Sequence, residues 1–107
     1  MAYLIFSLEG GEPVELQITG PIVIGSSAEA EIIIEGFEVA AHHAEVYPDE
    51  RGNCWARDLG SSAGIYVNGR RTVFQELHKG DELRCGEFIF QFFDFLEEKN
   101  SIAMGFY

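Results

Sequence analysis

Short apolar runs bordered by turn-forming residues constrain this chain more than any other feature of its sequence. The runs 3–8, 22–25 and 65–67 are three to six residues long, and each has Gly, Pro or Asn close to one end. Runs of this length and spacing are typical of β-strands joined by tight turns, whereas an amphipathic helix repeats its apolar positions over about ten residues or more. The sequence therefore predicts an all-β chain with almost no helix.

The pattern predicts an antiparallel β-sandwich of about 10 or 11 strands over residues 1–96. A C-terminal tail or linker of 11 residues follows over 97–107, where no periodicity is evident. The segments that predict strands most directly are 3–8, 14–18, 22–25, 32–34, 44–47, 54–59, 65–67, 82–85 and 88–95.

Three of these strands carry specific expectations. The alternation of Phe88, Phe90 and Phe92 predicts an aromatic-rich core strand, because alternate residues of a strand share a face. The continuous apolar run 32–34 predicts a strand buried on both faces or placed at a sheet crossing. Asn68-Gly69 is the strongest hairpin-turn signal and indicates a type I′ turn.

The distribution of charge excludes several classes of function. The net charge is −11, and residues 1–50 contain no Lys or Arg. Such a field repels nucleic acid, anionic membranes and phosphopeptides alike. No apolar stretch approaches the roughly 18 residues of a membrane helix. We therefore expect a cytoplasmic domain that binds no nucleic acid and makes no direct membrane contact.

Catalytic and metal-binding chemistry has no support in the sequence. His42, His43 and Glu45 offer zinc-type ligands, but neighbouring residues of a strand point to opposite faces and would not converge. No Ser-His-Asp or Cys-His motif and no phosphate-binding glycine loop occurs. We therefore predict that the chain is not an enzyme and that it binds no cofactor, metal or small-molecule substrate. Cys54 and Cys85 are predicted to be buried, reduced thiols, with a bridge between them as the alternative.

The segment from Asp58 to Gly69 resembles the signature block of forkhead-associated (FHA) domains. That block runs Asp, Leu, Gly, Ser, any residue, Asn, Gly, Thr, two residues, Asn, Gly, and the chain has DLGSSAGIYVNG. Three further landmarks resemble the family in order: 24–26 its Gly-Arg element, 39–44 its Ser-Arg-any-His-Ala element, and 77–86 its closing block. The resemblance implies an FHA (SMAD-like) sandwich over residues 3–95.

The resemblance also assigns structural and partner-binding positions. In the family pattern, His43 and Asp58 brace loops by hydrogen bonds rather than contact the ligand. The expected structural residues are Gly25, His43, Asp58, Gly64, Asn68 and Gly69. The expected partner-binding residues lie in loops at one end of the sandwich and are Ser26, Ser27, Ala40, Ala41, His42, Ser61, Ser62 and Ala63. A lateral sheet face is the alternative contact surface.

Departures from the family pattern determine the predicted function. Family members bind phosphothreonine through side chains at positions that hold Ser26, Ala40, Ala41, Ser62 and Ala63 in this chain. Each charge-assisted hydrogen bond to a phosphate contributes about 1.5–3 kcal/mol, so losing two or three costs roughly 4 kcal/mol, about a thousandfold in affinity. We therefore predict a phosphorylation-independent docking domain with an unphosphorylated protein partner.

The setting and the alternatives follow from the same resemblance. Degenerate domains of this kind are known at the cytoplasmic end of inner-membrane ring proteins of type III secretion systems, and the missing ligands and small acidic domain resemble that subgroup. One alternative is a phosphothreonine reader that uses Arg57, Arg70 or Arg71, since the family places the turn before Arg70 near the binding loops. Another is a structural spacer with no separable ligand.

Overall fold

The computed structural model describes residues 1–8 and 10–94, and among them it contains strands and turns but no helix. The strands are β1 (Ala2–Phe6), β2 (Val14–Gln17), β3 (Ile22–Gly25), β4 (Ile32–Ile33), β5 (Ala44–Pro48), β6 (Cys54–Asp58), β7 (Ile65–Val67), β8 (Arg70–Thr72), β9 (Phe74–Leu77), β10 (Glu82–Cys85) and β11 (Phe88–Asp94). The predicted tail, 97–107, and the end of the last predicted strand lie outside the described residues.

The strands form two sheets packed face to face. The six-stranded sheet has the order β2-β1-β11-β10-β7-β8, and the five-stranded sheet has the order β4-β3-β5-β6-β9. Only the pairing of β3 with β4 is parallel among the described strands. The all-β sandwich predicted from the sequence is therefore confirmed.

The core lies between the sheets and follows the alternation of each strand. Phe90 and Phe92 are buried, whereas the intervening Ile89 and Gln91 are exposed, as the period of two predicts. Phe90 meets Phe6 of β1 with their ring centroids 5.1 Å apart. Tilted aromatic packing of this kind adds to the free energy gained by burying the rings.

One expectation about a strand needs correction, and two strands were not predicted. The run 32–34 is not buried on both faces, because Ile33 is 45% exposed while Ile32 and Ile34 are buried. β4 is a two-residue edge strand, and Ile33 lies on the outer face of its sheet while its neighbours face the core. Strands β8 and β9 had no clear sequence signal: both are sheet edges whose polar residues hide the apolar alternation.

The two cysteines lie in different sheets and are free thiols, so the alternative of a bridge between them is wrong. Burial raises the pKa of Cys54 to about 11 and that of Cys85 to about 12. Both are inert core residues, since the reactive form of a thiol is the thiolate.

We call one end of the sandwich the apex and describe four of the connections that strand register places there. They are the β3–β4 loop, the β4–β5 loop, the β6–β7 loop and the β10–β11 turn, because Gly25, Ala44, Asp58, Ile65 and Cys85 end or begin their strands there. No helix among the described residues is long and apolar enough to span a membrane.

Candidate functional site at the apex

Backbone hydrogen bonds fasten the β3–β4 loop to the β4–β5 loop. Ser26 and Ser27 donate their N–H groups to the carbonyls of Ala40 and Ala41, each at 3.1 Å. A Cβ atom at Gly25 would overlap the backbone carbonyl of Ala41. Glycine is therefore required at this position by the close approach of the two backbones.

His43 joins the β4–β5 loop to the β6–β7 loop from a fully buried position. Its Nδ1 accepts the Ala40 N–H at 3.1 Å, and its Nε2 lies 2.8 Å from the Gly64 carbonyl. Because a carbonyl can only accept, Nε2 is the donor to Gly64 while Nδ1 is the acceptor. Both ring nitrogens are used inside the protein, as the predicted structural role requires.

Asp58 and Ser61 hold the β6–β7 loop in shape. Asp58 Oδ1 accepts both the N–H and the hydroxyl of Ser61, at 3.0 and 2.7 Å. The Ser61 hydroxyl in turn accepts the Gly64 N–H at 2.9 Å. With the bond from His43 to Gly64, this forms one continuous network from β5 to β7.

The Asn68-Gly69 turn has the geometry that the sequence predicts. Both residues have positive φ, 54° and 82°, as a type I′ turn requires. The Asn68 amide also donates to Asp81 and accepts the Glu82 N–H, both at 2.9 Å. This turn follows β7 at the end remote from the apex, contrary to the expectation that it lies near the binding loops.

The structure brings the predicted partner-binding residues together at the apex. Ala41, His42 and Ser62 are exposed, and Ser26, Ser27, Ala40 and Ala63 are half-buried. Ser61 differs, because it is buried and its hydroxyl is used within the loop. Whether these residues bind a partner stays a prediction. Apart from His42 and the buried His43, no side chain of the three apex loops can carry positive charge.

The three arginines considered as phosphate ligands have different surroundings. Arg57 forms an ion pair with Glu45 and lies over the Tyr47 ring, 5.6 Å from its centroid. Arg70 is exposed and lies opposite Val67, on the other face of β8 from its neighbour. Arg71 packs against Gly64 and donates to the Ser62 carbonyl at 3.2 Å. Of the three, Arg71 is the one whose side chain contacts the β6–β7 loop.

Arg71 lines a cleft beside the apex that the sequence reasoning missed. The cleft has a volume of about 250 Å³ and is lined by Glu38, Ala63, Tyr66, Arg71, Arg84 and Gly86. The available signal was the alternation of Tyr66 with two buried neighbours on β7 and of Arg84 with two on β10. β7 therefore sends Tyr66 to the outer face, and β10 sends Glu82 and Arg84.

Metal ligands do not converge in the described part of the chain. Residues 1–8 and 10–94 contain no group of three or more His, Cys, Asp or Glu residues placed to hold a metal ion. His42 is exposed and His43 is buried, so the adjacent imidazoles face different environments.

Comparison with solved structures identifies the same fold in several FHA domains. The FHA domain of CT664 from Chlamydia trachomatis is 22% identical, with a TM-score of 0.75 over 87% of this chain and 96% of that one. The FhaA FHA domain, solved in complex with the intracellular domain of Rv3910, is 24% identical, with a TM-score of 0.73 over 86% and 99%.

A third structure shares more sequence over part of a longer protein. EmbR of Mycobacterium tuberculosis, solved in complex with a low affinity phosphopeptide, is 30% identical, with a TM-score of 0.73. The match covers 86% of this chain and 24% of EmbR. No curated protein matches the sequence.

The family comparison agrees with the apex geometry. The FHA domain model matches residues 22–86, more than half of the chain, and this span includes every loop of the apex. It also includes Gly25, His43, Asp58 and Gly64, which hold the apex together. This chain therefore belongs to the FHA domain family, whose members are protein–protein interaction modules rather than enzymes.

Proposed function

We propose that this FHA domain is a docking module that binds an unphosphorylated segment of another protein at its apex. The observation that carries the proposal is the combination of an intact apex scaffold with the absence of a cation from its three loops. Ser26, Ala40 and Ala63 occupy the positions at which the family pattern has phosphate- or peptide-binding side chains. The scaffold supports recognition, whereas these residues do not support phosphate binding.

Electrostatics favour an unphosphorylated partner. A phosphothreonine carries about −1.5 to −2 charges at neutral pH, and this chain has a net charge of −11. A dianion at the apex would meet neutral side chains within a repulsive field. The resulting loss of roughly 4 kcal/mol corresponds to about a thousandfold in affinity.

An exposed aromatic residue at the apex supports binding to a protein surface. Phe37, in the β4–β5 loop, is fully exposed. Exposed aromatic side chains are enriched among the residues that dominate binding energy at protein interfaces. We infer that Phe37 inserts into an apolar pocket of the partner.

The experiment that tests the proposal compares phosphorylated and unphosphorylated ligands of the 107-residue chain. We expect no phosphate-dependent binding in a degenerate phosphothreonine peptide library. We also expect that protein partners captured from lysate are retained after phosphatase treatment and are lost with Phe37→Ala. The matched control is Val14→Ala, which removes an exposed apolar side chain on β2, the edge strand at the opposite side of the six-stranded sheet from β8. Phosphate-dependent binding would contradict the proposal.

A second candidate function is phosphothreonine recognition through a relocated cation. The observation in its favour is the hydrogen bond from Arg71 to the Ser62 carbonyl, which places a guanidinium against the β6–β7 loop. Arg70 is the matched control, because it has the same charge but lies on the opposite face of β8. Phosphopeptide binding that disappears with Arg71→Gln and survives Arg70→Gln would establish this function in place of the first.

The cellular setting that we propose is the cytoplasm, with the domain docking below a membrane anchor in the inner-membrane ring of a type III secretion system. Its support is the loss of phosphate ligands in a small acidic FHA domain. Crosslinking of the domain to ring components in intact cells tests this setting, and fractionation away from such components would contradict it.

A further inference from the structure

A row of three side chains crosses the outer face of the six-stranded sheet beside the apex. Tyr66 of β7 lies directly opposite Arg84 of β10 and directly opposite Arg71 of β8. Directly opposed residues of neighbouring strands share a face, so the two guanidiniums flank the Tyr66 ring. Arg84 lies over that ring, 4.2 Å from its centroid.

Both guanidiniums are held in place before any ligand arrives. Arg71 Nη2 donates to the Ser62 carbonyl at 3.2 Å, and Arg84 Nη1 donates to the Gly86 carbonyl at 3.3 Å. A guanidinium has five N–H donors, so these contacts leave most of the donors available. Preorganised donors lose less conformational entropy when they bind a ligand.

Neither guanidinium has an ion-pair partner among the described residues. This is unexpected for a chain with 18 Asp and Glu residues and 7 Lys and Arg residues. Arg57, by contrast, is paired with Glu45. Two unpaired cations around one cleft are a site for an anionic group, since guanidiniums bind planar carboxylates in a bidentate manner.

The charge around the cleft selects a single carboxylate. Arg71 and Arg84 contribute two positive charges, and Glu38 at the rim contributes one negative charge. Glu82 lies two residues before Arg84 on the same face of β10 and adds to the negative field. The residues that line the cleft therefore carry one net positive charge, which a single carboxylate balances, whereas the dianion of a phosphate exceeds that charge and meets the field of Glu82 as well.

We propose that the cleft formed by Arg71, Tyr66 and Arg84 binds one Asp or Glu side chain of the partner segment that docks at the apex. The source is a side chain rather than a C terminus, because chain-terminal carboxylates are captured by nests of backbone N–H groups and the donors in this cleft are side chains. Phe37 is the neighbour of Glu38, which lines the cleft. One partner segment therefore contacts Phe37 with an apolar surface and enters the cleft with its carboxylate. The inference rests on the proposed function, because that function identifies the partner as a segment of a protein.

The first test is a nuclear magnetic resonance titration of the ¹⁵N-labelled chain with N-acetyl-glutamate amide. We expect saturable shifts of the Arg71 and Arg84 Nε–H signals, with an affinity on the order of millimolar for so small a probe. N-acetyl-glutamine amide, the neutral isostere, is expected to cause none. No saturable shift with the glutamate probe would overturn the inference.

Variants separate a built site from general electrostatics. Arg71→Gln and Arg84→Gln are each expected to weaken binding of the glutamate probe about tenfold, and Glu38→Gln to strengthen it two- to fivefold. Arg70→Gln is the matched control and should change affinity less than twofold. Equal losses for Arg70→Gln and Arg71→Gln would overturn the inference.

A phosphorylated probe distinguishes this inference from the function on which it rests. N-acetyl-O-phosphothreonine amide is expected to bind the cleft more weakly than the glutamate probe. Tighter binding of the phosphorylated probe through Arg71 and Arg84 would overturn both the carboxylate assignment and the phosphorylation-independent function. Loss of the cleft contact while unphosphorylated partners still bind would overturn the carboxylate assignment alone.

Discussion

The apex loops and the neighbouring outer face of the six-stranded sheet differ in positive charge, although the same β6–β7 loop belongs to one and contacts the other. The loops present Ser26, Ala40 and Ala41, which carry no charge. The sheet face presents Arg71 and Arg84, and Arg71 is bonded to the same β6–β7 loop. The comparison shows that the residues that hold the apex in shape are present although its loops carry no arginine or lysine.

The largest expected effect comes from restoring the phosphate ligands on the loop side. The triple variant Ser26→Arg, Ala40→Ser and Ala63→Asn supplies the side chains that the family pattern has at these positions. Because the scaffold is intact, we expect the variant to gain up to about a thousandfold in affinity for phosphothreonine peptides over their threonine counterparts. Isothermal titration calorimetry measures the gain.

The control for this restoration replaces Ala40 and Ala63 in the same way but moves the arginine to the next residue, with Ser27→Arg. If the gain in affinity came only from the added positive charge, both variants would bind phosphothreonine peptides equally well. An unchanged affinity in the first variant would show that the apex differs from a phosphate-binding apex in backbone shape as well as in side chains.

Removal of the shared scaffold should have the next largest effect. His43→Ala leaves the buried Ala40 N–H and the Gly64 carbonyl without their partner and creates a cavity. We expect the free energy of unfolding to fall by about 2–4 kcal/mol, as measured by urea denaturation. His42→Ala, at the exposed neighbour, should stay within about 0.5 kcal/mol of the parent chain. Equal effects of the two changes would contradict the bracing role of His43.

The reaction rates of the two thiols test whether β10, which carries Arg84 on its outer face (the arginine face), opens as rarely as β6 at the other end of the sandwich. Cys85 follows Arg84 on β10, whereas Cys54 begins β6 at the end remote from the apex. Burial raises the pKa of Cys54 to about 11 and that of Cys85 to about 12. At pH 8 we expect iodoacetamide to modify both thiols far more slowly in the folded chain than in urea, and Cys54 before Cys85.

Mass spectrometry after timed labelling measures the order of modification. Faster modification of Cys85 would mean that β10 opens locally and that the arginine face is the less stable region. The cleft would then be assembled by its ligand rather than preorganised.

The smallest expected effect lies far from the apex, in the β5–β6 hairpin. The hydrogen bond from Trp55 Nε1, at 2.9 Å, and the N–H groups of Arg51 and Asn53 hold the pKa of Asp49 below its ordinary value of 3.8. A lowered folded-state pKa gives stability that is present above pH 3.8 and is lost as the pH falls through the folded-state value.

We therefore expect Asp49→Asn to lower the thermal midpoint at pH 7 by a small amount and to reduce the difference in stability between pH 7 and pH 3. Trp55 fluorescence during thermal unfolding measures both. Glu50→Gln is the control, because Glu50 is exposed. Equal pH dependence in the two variants would contradict the role of the Asp49 contacts.

Much of the fold could be predicted because local chemistry specifies it. Asn68-Gly69 predicts a type I′ turn, and both residues have positive φ. The alternation of Phe88, Phe90 and Phe92 predicts which face of β11 is buried. β8 and β9 could not be predicted from their own residues, because edge strands take much of their stability from one paired neighbour and carry polar side chains.

The candidate site was predictable where one motif contains it and unpredictable where several strands contribute to it. His43 and Asp58 stand in recognisable motifs, and their contacts are those of bracing residues. The cleft combines Glu38, Tyr66, Arg71 and Arg84 from four different parts of the chain. Their proximity depends on strand register, which the sequence does not state.

By itself, the sequence determined the all-β class, the Asn68-Gly69 turn and the alternation of the last strand. These follow from backbone preferences and from alternation, which act over a few residues. Only the tertiary structure decided that Ser61 is internal, that Arg57 is paired with Glu45, and that Arg71 and Arg84 flank one tyrosine. Those facts depend on which strands lie side by side, because pairing brings together residues that are far apart in the chain.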